Sequence, residues 1–175
     1  EEDIAQLRAD VQALEEELLR LQASALDQEG SSVRQFIGDG QRQYLSGMFL
    51  GGQRILVLMD SSASMLDSTL VNIIRTRNMN DDRKRNAPKW QRVVKTVDWI
   101  STQLPVTSRY QVWHFNQDHS SVLEGTTETW LEVADRDQLN QVIAGAEQLV
   151  PQNGTNLQQV FRAASNMNPR PDNIF

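Results

Sequence analysis

Three side chains that carry oxygen atoms follow one apolar segment of this sequence at alternate positions. Asp60, Ser62 and Ser64 form a D-x-S-x-S array. Where a buried strand runs into a tight turn, alternate residues can direct one carboxylate and two hydroxyls to a single point. A small set of oxygen donors suits Mg²⁺ or Mn²⁺, because these ions keep coordination positions for water or for a carboxylate of another molecule. The array therefore predicts a divalent-cation site.

The residues before the array have the composition of a buried strand. Between Arg54 and Asp60 the sequence is apolar without alternation, as expected of a central parallel strand covered on both faces. Much later in the chain, Gly154-Thr155-Asn156 stands directly before a segment with helical spacing. This second loop supplies a further hydroxyl.

The apolar strand, the D-x-S-x-S array and Met65 after it resemble the metal-ion-dependent adhesion site (MIDAS) of von Willebrand factor A (VWA) domains. That family adds a threonine from a second loop, and Thr155 in Gly154-Thr155-Asn156 matches this position. The resemblance covers residues 53–175 and implies the VWA fold, which is a Rossmann-like α/β sheet.

The resemblance also implies a role for each matched residue. Ser62 and Ser64 are expected to bind Mg²⁺ or Mn²⁺ directly, and Asp60 and Thr155 directly or through water. An acidic residue of a partner protein is expected to complete the metal shell. No catalytic residue is implied, so the expected protein is a binding module and not an enzyme.

The family takes a further aspartate from the loop after the strand that begins here at Asn173. This sequence ends at Phe175, before such a loop. An α/β sheet that stopped at this point would leave a long unpaired edge. We therefore expect a VWA-like domain that is truncated at its C-terminus.

Other chemistry at these positions has weaker support. The hydroxyls of the array could instead cap the following helix, with Asp60 accepting from backbone donors. His114, Asp118 and His119 have a spacing that allows a transition-metal site, although zinc needs three or four convergent ligands. A hydrolase triad of Ser62, His114 and Asp118 lacks a G-x-S-x-G turn. No G-x-x-x-x-G-K-[ST] phosphate loop is present.

The elements around these residues alternate between strand and helix. A capping box at Asp135 and Gln138 marks one helix start, and Pro88 marks another. This alternation implies an α/β fold with a doubly wound, mainly parallel sheet, whose binding site lies beyond the carboxyl ends of the strands. The predicted strands are residues 54–60, 109–116, 129–133 and a last one from 173, and the predicted helices are 88–104, 136–149 and 157–164.

Residues 66–87 separate the array from the first long helix by more than the VWA family usually shows. This insertion begins with apolar residues and continues with a basic stretch from Arg75 to Arg85. Because it leaves the metal loop directly, we expect it on the ligand-binding face. It is either the element that selects the partner or a solvated surface loop.

The apolar pattern of residues 1–30 predicts a helical coiled-coil arm. Their apolar positions are three and four residues apart, with leucine at every d position, which favours a parallel two-stranded coil. The arm either forms a homodimer through residues 4–25 or packs on its own domain as an amphipathic helix, and disorder is the third reading. Residues 31–52 contain several glycines and are predicted to be a linker. The seam consists of Ile4, Leu7, Val11, Leu14, Leu18, Leu21 and Ala25.

Charge is distributed unevenly along the 175 residues, whose net charge is −6. Residues 1–30 hold two arginines against nine acidic residues, whereas residues 71–95 hold eight basic residues against two acidic ones. A domain with both signs suits a charged protein partner and not nucleic acid, which would favour a domain that is basic throughout. The sequence has no cysteine, so disulfides and thiolate metal sites are excluded.

Three hypotheses of function follow. The first is a divalent-cation-dependent protein-binding module carried on a dimerising stalk. The second is a structural and mechanical subunit, as in bacterial A-domain proteins that associate with ion-channel subunits of the ExbB/TolQ/MotA kind. It would be periplasmic and tethered to the inner membrane by a segment upstream of Glu1, with a cytoplasmic location as the alternative. The third is an adaptor of a metal-chelatase-type ATPase, since the chain has no nucleotide motif of its own.

Overall fold

The computed structural model describes residues 52–175. The predicted arm, residues 1–30, and all but the last residue of the predicted linker, residues 31–52, lie outside the described residues. No helix between residues 52 and 175 is long and apolar enough to cross a membrane.

The described part of the chain is an α/β domain with a mixed sheet of five strands. The strands are β1 (Arg54–Asp60), β2 (Arg109–Phe115), β3 (His119–Ser121), β4 (Leu131–Glu132) and β5 (Asn173–Ile174). The α-helices are α1 (Leu70–Arg77), α2 (Asp81–Arg85), α3 (Pro88–Gln103), α4 (Arg136–Gln148) and α5 (Leu157–Asn166), and a 3-10 turn spans Ala63–Met65.

Strand β1 lies at the centre of the sheet. It pairs in parallel with β2 on one side and with β5 on the other. The short strands β3 and β4 both pair antiparallel with β2, β3 at its carboxyl end and β4 at its amino end. The sheet is therefore parallel at its centre and antiparallel along the outer edge of β2.

The apolar run of β1 is buried on both faces of the sheet. Ile55, Val57 and Met59 pack in one core with buried residues of α3 and α4. Leu56 packs in a second core with Val160 of α5 and with Trp113. Helices thus cover both faces, which explains why the sequence of β1 does not alternate between apolar and polar residues.

The predicted elements and the observed ones agree where the apolar spacing is regular. Helix α3 begins at Pro88, as predicted, and Asp135 caps α4 by accepting a hydrogen bond from the backbone N–H of Gln138 at 3.0 Å. The predicted strand at 129–133 is reduced to the two residues of β4, and β3 was not predicted. Three-residue strands carry too little periodicity to be recognised in a sequence.

The start of β1 is tied to the segment before β5 by one carboxylate. Asp172 Oδ2 accepts hydrogen bonds from the backbone N–H groups of Gln53 at 2.9 Å and Arg54 at 3.0 Å, and the Arg54 guanidinium pairs with Oδ1. Desolvation raises the pKa of Asp172, but these two backbone donors and the Arg54 charge together lower the pKa below its ordinary value. The carboxylate is therefore stabilised in the folded state.

We expect Asp172→Asn to lower the free energy of unfolding at neutral pH, because the amide keeps one acceptor oxygen and loses the charge. A carboxylate whose pKa is lowered by folding stabilises the folded state at pH values above the pKa of the unfolded chain. This stabilisation disappears as the pH falls through the pKa of the folded state. In urea denaturation, the difference between the two proteins should therefore be smaller at pH 3 than at pH 7. Glu147→Gln, an exposed change on α4, is the control, and an equal loss in it would contradict the assignment.

Candidate metal centre

The D-x-S-x-S array lies at the carboxyl end of β1, where the strand turns sharply into the 3-10 turn. The backbone N–H of Ser62 donates to Asp60 Oδ1 at 2.8 Å. The turn follows at once, with the N–H of Met65 donating to the Ser62 carbonyl at 3.0 Å. Asp60 is thereby held in one orientation by the residue two positions after it.

The two serine hydroxyls of the array meet each other. Ser62 Oγ and Ser64 Oγ are 2.9 Å apart. Two neighbouring ligands of an octahedral Mg²⁺ are separated by about 2.9 Å when each metal–oxygen bond is about 2.0–2.1 Å. The hydroxyl pair therefore has the spacing of one edge of a magnesium octahedron, and the donor set fits the ion. Ser62 is almost fully buried, with 1% of its surface exposed.

Ser61, which lies between Asp60 and Ser62, points elsewhere. Ser61 Oγ donates to the Phe115 carbonyl at 3.0 Å and lies 3.2 Å from His114 Nδ1. Side chains alternate in direction along an extended chain. As a result Ser62 points away from Ser61, which faces the end of β2, and the 3-10 turn then brings Ser64 Oγ to Ser62 Oγ.

The alternative in which the serines act as helix caps is not observed. Ser62 occupies the cap position of the 3-10 turn, but its side chain makes no capping hydrogen bond. Asp60 does accept from a backbone donor, so that half of the alternative agrees with the structure. The Ser62 hydroxyl itself is directed to Ser64.

The second predicted loop runs beside the first. The N–H of Ala63 donates to the Asn153 carbonyl at 3.0 Å, and the N–H of Gln152 donates to the Ser61 carbonyl at 2.9 Å. Thr155 lies two residues after Asn153 and is exposed. The structure thus brings the loop of Thr155 to the D-x-S-x-S loop through two backbone hydrogen bonds.

The conformation of this second loop depends on Asn153. Asn153 has φ of 63°, in the left-handed region where asparagine is tolerated better than most residues. A Cβ added at Gly154 would meet Gln117 at 3.7 Å, an ordinary contact. The sequence analysis singled out Gly154-Thr155-Asn156 and did not include Asn153. Asparagine directly before glycine was the signal that could have identified the turn.

A lysine that sequence reasoning also missed adjoins the array. Lys89 Nζ donates to the Ser64 carbonyl at 2.8 Å. Lys89 is the second residue of α3, so the long helix after the insertion returns to the metal loop. Nothing in the local sequence signals this contact, because the two residues are 25 positions apart.

The histidines near the end of β2 do not form a metal site. His114 faces Ser61, whereas the His119 ring packs on Trp113 with ring centroids 5.0 Å apart. Asp118 Oδ1 accepts from Gln159 Nε2 at 3.4 Å. Among residues 52–175 no three His, Cys, Asp or Glu side chains converge as metal ligands. The hydrolase triad that the sequence analysis considered and found weak is not observed either, because His114 contacts Ser61 and not Ser62.

The types of the candidate donors decide which ions they suit. Its donors are one carboxylate, Asp60, and serine and threonine hydroxyls. Hydroxyl and carboxylate oxygens are ligands of hard divalent ions, among them Mg²⁺ and Mn²⁺, whereas zinc and copper favour imidazole and thiolate. The arrangement therefore fits Mg²⁺ or Mn²⁺ and not zinc.

No protein-family model matches this sequence, and a search of curated proteins found no relative.

We expect the stability of the protein to decline as the pH falls below about 6.5, because burial lowers the pKa of the His114 imidazole. The unfolded chain takes up a proton near the ordinary histidine pKa, and the folded chain does so only at lower pH. Unfolding is therefore favoured in this window, and the loss ends below the folded pKa. Chemical denaturation of His114→Gln between pH 7.5 and 5 should give a flatter profile.

His119→Gln is the matched control, because it removes a histidine from the neighbouring strand and leaves His114 in place. It should keep the decline of the unmodified protein. A flat profile in His119→Gln, or an unchanged one in His114→Gln, would show that another group is responsible.

Proposed function

We propose that this chain is a protein-binding module that depends on a divalent cation, with Asp60, Ser62, Ser64 and Thr155 as the ligands of Mg²⁺ or Mn²⁺. One observation carries the proposal. Two serine hydroxyls lie 2.9 Å apart beside a carboxylate that a backbone N–H holds in position. The resemblance of these residues to a MIDAS supports the same assignment.

The charges of the donor set favour an acidic partner. A bound Mg²⁺ or Mn²⁺ would supply a Lewis-acidic centre that accepts a carboxylate oxygen from another protein. Asp60 contributes one negative charge, which does not neutralise a divalent ion, and the Lys89 ammonium adjoins Ser64. An anionic group of the partner balances the remaining positive charge, and like charges would be repelled.

The backbone holds the donors in position before any ligand arrives. Hydrogen bonds from Ser62 to Asp60 and from Ala63 to Asn153 fix both loops. Little conformational entropy is then lost on binding, and preorganisation of this kind raises affinity. The contacts among Asp60, Ser62 and Ser64 and the two backbone bonds to the loop of Thr155 support this part of the proposal.

In this proposal residues 53–175 form a VWA-like domain and residues 1–30 form its stalk. Dimerisation through residues 4–25 would present two sites on one particle, and two linked sites bind a multivalent partner more tightly than one. The periplasmic membrane tether and the ion-channel partners stay predictions from the sequence alone.

We expect MgCl₂ or MnCl₂ to stabilise the protein against thermal unfolding. A ligand that binds only the folded state at about 100 times its Kd adds about 2.7 kcal/mol. Asp60→Asn should remove this shift, because the amide still accepts the Ser62 N–H but lacks the negative charge. Differential scanning calorimetry, with the protein in EDTA as the reference, measures the shift in both the unmodified protein and the variant. An unmodified protein that does not respond to either cation would refute the proposal.

Two serine variants separate the site from its scaffold. Ser62→Ala removes a proposed ligand and should weaken the cation response. Ser61→Ala, the matched control, removes the neighbouring hydroxyl that faces His114. It should cost about 1 kcal/mol of stability through one lost hydrogen bond and leave the cation response intact. Equal loss of the response in both variants would mean that the loop and not its ligand oxygens is responsible.

A further inference from the structure

Helix α1, in the 66–87 insertion, presents apolar side chains to solvent. Leu70, Val71 and Ile74 are 71%, 77% and 55% exposed, and no residue of this helix is fully buried. Soluble proteins seldom expose neighbouring large apolar side chains unless another molecule covers them. This apolar face therefore needs a partner.

The helix is nevertheless held firmly in place. Ile73, on its other side, packs against the core that α3 and α4 share. Asp67 accepts hydrogen bonds from the N–H and the hydroxyl of Thr69 and so fixes the residue before the helix. Helix α1 also packs against the 3-10 turn that contains Ser64. The exposed apolar face is thus a fixed surface next to the candidate metal centre.

Arginines border this face. At 100° per residue, Arg77 lies on one side of Leu70 and Ile74, and Arg75 lies beyond Val71 on the other. Neither arginine, nor Arg83, forms a salt bridge with a residue in the described part of the chain.

The other two basic residues of α2 are already paired. Lys84 and Arg85 pair with Asp81 and Asp82 of the same helix, at 3.1 and 2.9 Å. Among the basic residues of α1 and α2, Arg75, Arg77 and Arg83 are therefore the ones that form no salt bridge within the described part of the chain. Two of them, Arg75 and Arg83, line a surface depression together with Met79 and Asn80.

We propose that this surface, Leu70, Val71 and Ile74 with Arg75, Arg77 and Arg83, binds an acidic amphipathic helix of a partner protein. The apolar stripe matches the apolar face of such a helix, and the arginines match its acidic flanks. That this helix also supplies the carboxylate of the metal shell rests on the proposed function.

The structure favours a protein helix over a lipid surface. Helix α1 spans eight residues and carries no Trp or Phe, whereas helices that lie in a membrane interface are usually longer and insert aromatic residues. Its apolar face is narrow, which suits the ridge of one opposing helix.

The test uses a synthetic peptide of about five helical turns, with leucine at i, i+3, i+4 and i+7 and glutamate on both flanks. Binding to the full chain is followed by fluorescence anisotropy in EDTA at two salt concentrations. We expect saturable binding that weakens with salt. A peptide with lysine in place of glutamate should not bind. Absence of binding by the glutamate peptide would overturn the inference.

Two pairs of variants locate the surface. Leu70→Ser with Val71→Ser, and Arg75→Glu with Arg83→Glu, should each weaken peptide binding at least about tenfold. Leu157→Ser and Arg162→Glu are the controls, because they change exposed residues of α5 on the opposite face of the sheet. Binding that survives both pairs of α1 changes, or that is lost equally in the controls, would overturn the inference. Binding of phosphatidylserine vesicles without binding of the peptide would also overturn the inference, and would indicate that the surface binds lipid.

Peptide binding measured with and without Mg²⁺ separates this inference from the proposed function. Mg²⁺ should tighten peptide binding in the unmodified protein, and Asp60→Asn should lose this increment while retaining the affinity measured in EDTA. Peptide binding without any cation effect would refute the metal site and leave the α1 surface standing. A cation-dependent thermal shift without peptide binding would refute the α1 surface and leave the metal site standing.

Discussion

The backbone at the buried end of β1 must find hydrogen-bond partners where the strand leaves the sheet. Buried N–H and C=O groups without partners are costly, so nearly all are paired in folded proteins. Here the N–H of Ser61 donates to the end of β2, and the carbonyl of Ser61 and the N–H of Ala63 bond to the 152–153 segment. The first bond ties the turn to β2, and the other two join the two loops that carry the candidate ligands. The need to satisfy the backbone therefore also creates the geometry of the site.

The two consecutive serines Ser61 and Ser62 have different roles. Ser61 uses its hydroxyl to bond to Phe115, and it anchors the turn to β2. Ser62 uses its N–H to orient Asp60, and its hydroxyl is directed to Ser64. One serine supports the scaffold and the next belongs to the candidate site, although the two residues are chemically identical. Only their direction from the chain separates the two roles.

In the two proposals above, residues 66–87 add a second kind of recognition surface beside the first. The candidate centre offers oxygen donors in a polar turn, whereas α1 offers apolar side chains bordered by arginines. A single partner with acidic and apolar residues can satisfy both surfaces, because α1 packs against the turn that contains Ser64. Charge then steers the encounter and apolar contact supplies much of the affinity.

The sequence by itself determined the elements that depend on local pattern. The apolar run of β1, the proline that starts α3 and the aspartate that caps α4 all act through neighbouring residues, so they were predictable. Strand β3 has three residues and α1 has eight, and neither was predicted. Only the tertiary structure decided that Asn153 and Lys89 meet the metal loop and that Leu70, Val71 and Ile74 remain uncovered. These outcomes depend on contacts between residues far apart in the chain, and the local propensities of those residues do not indicate such contacts.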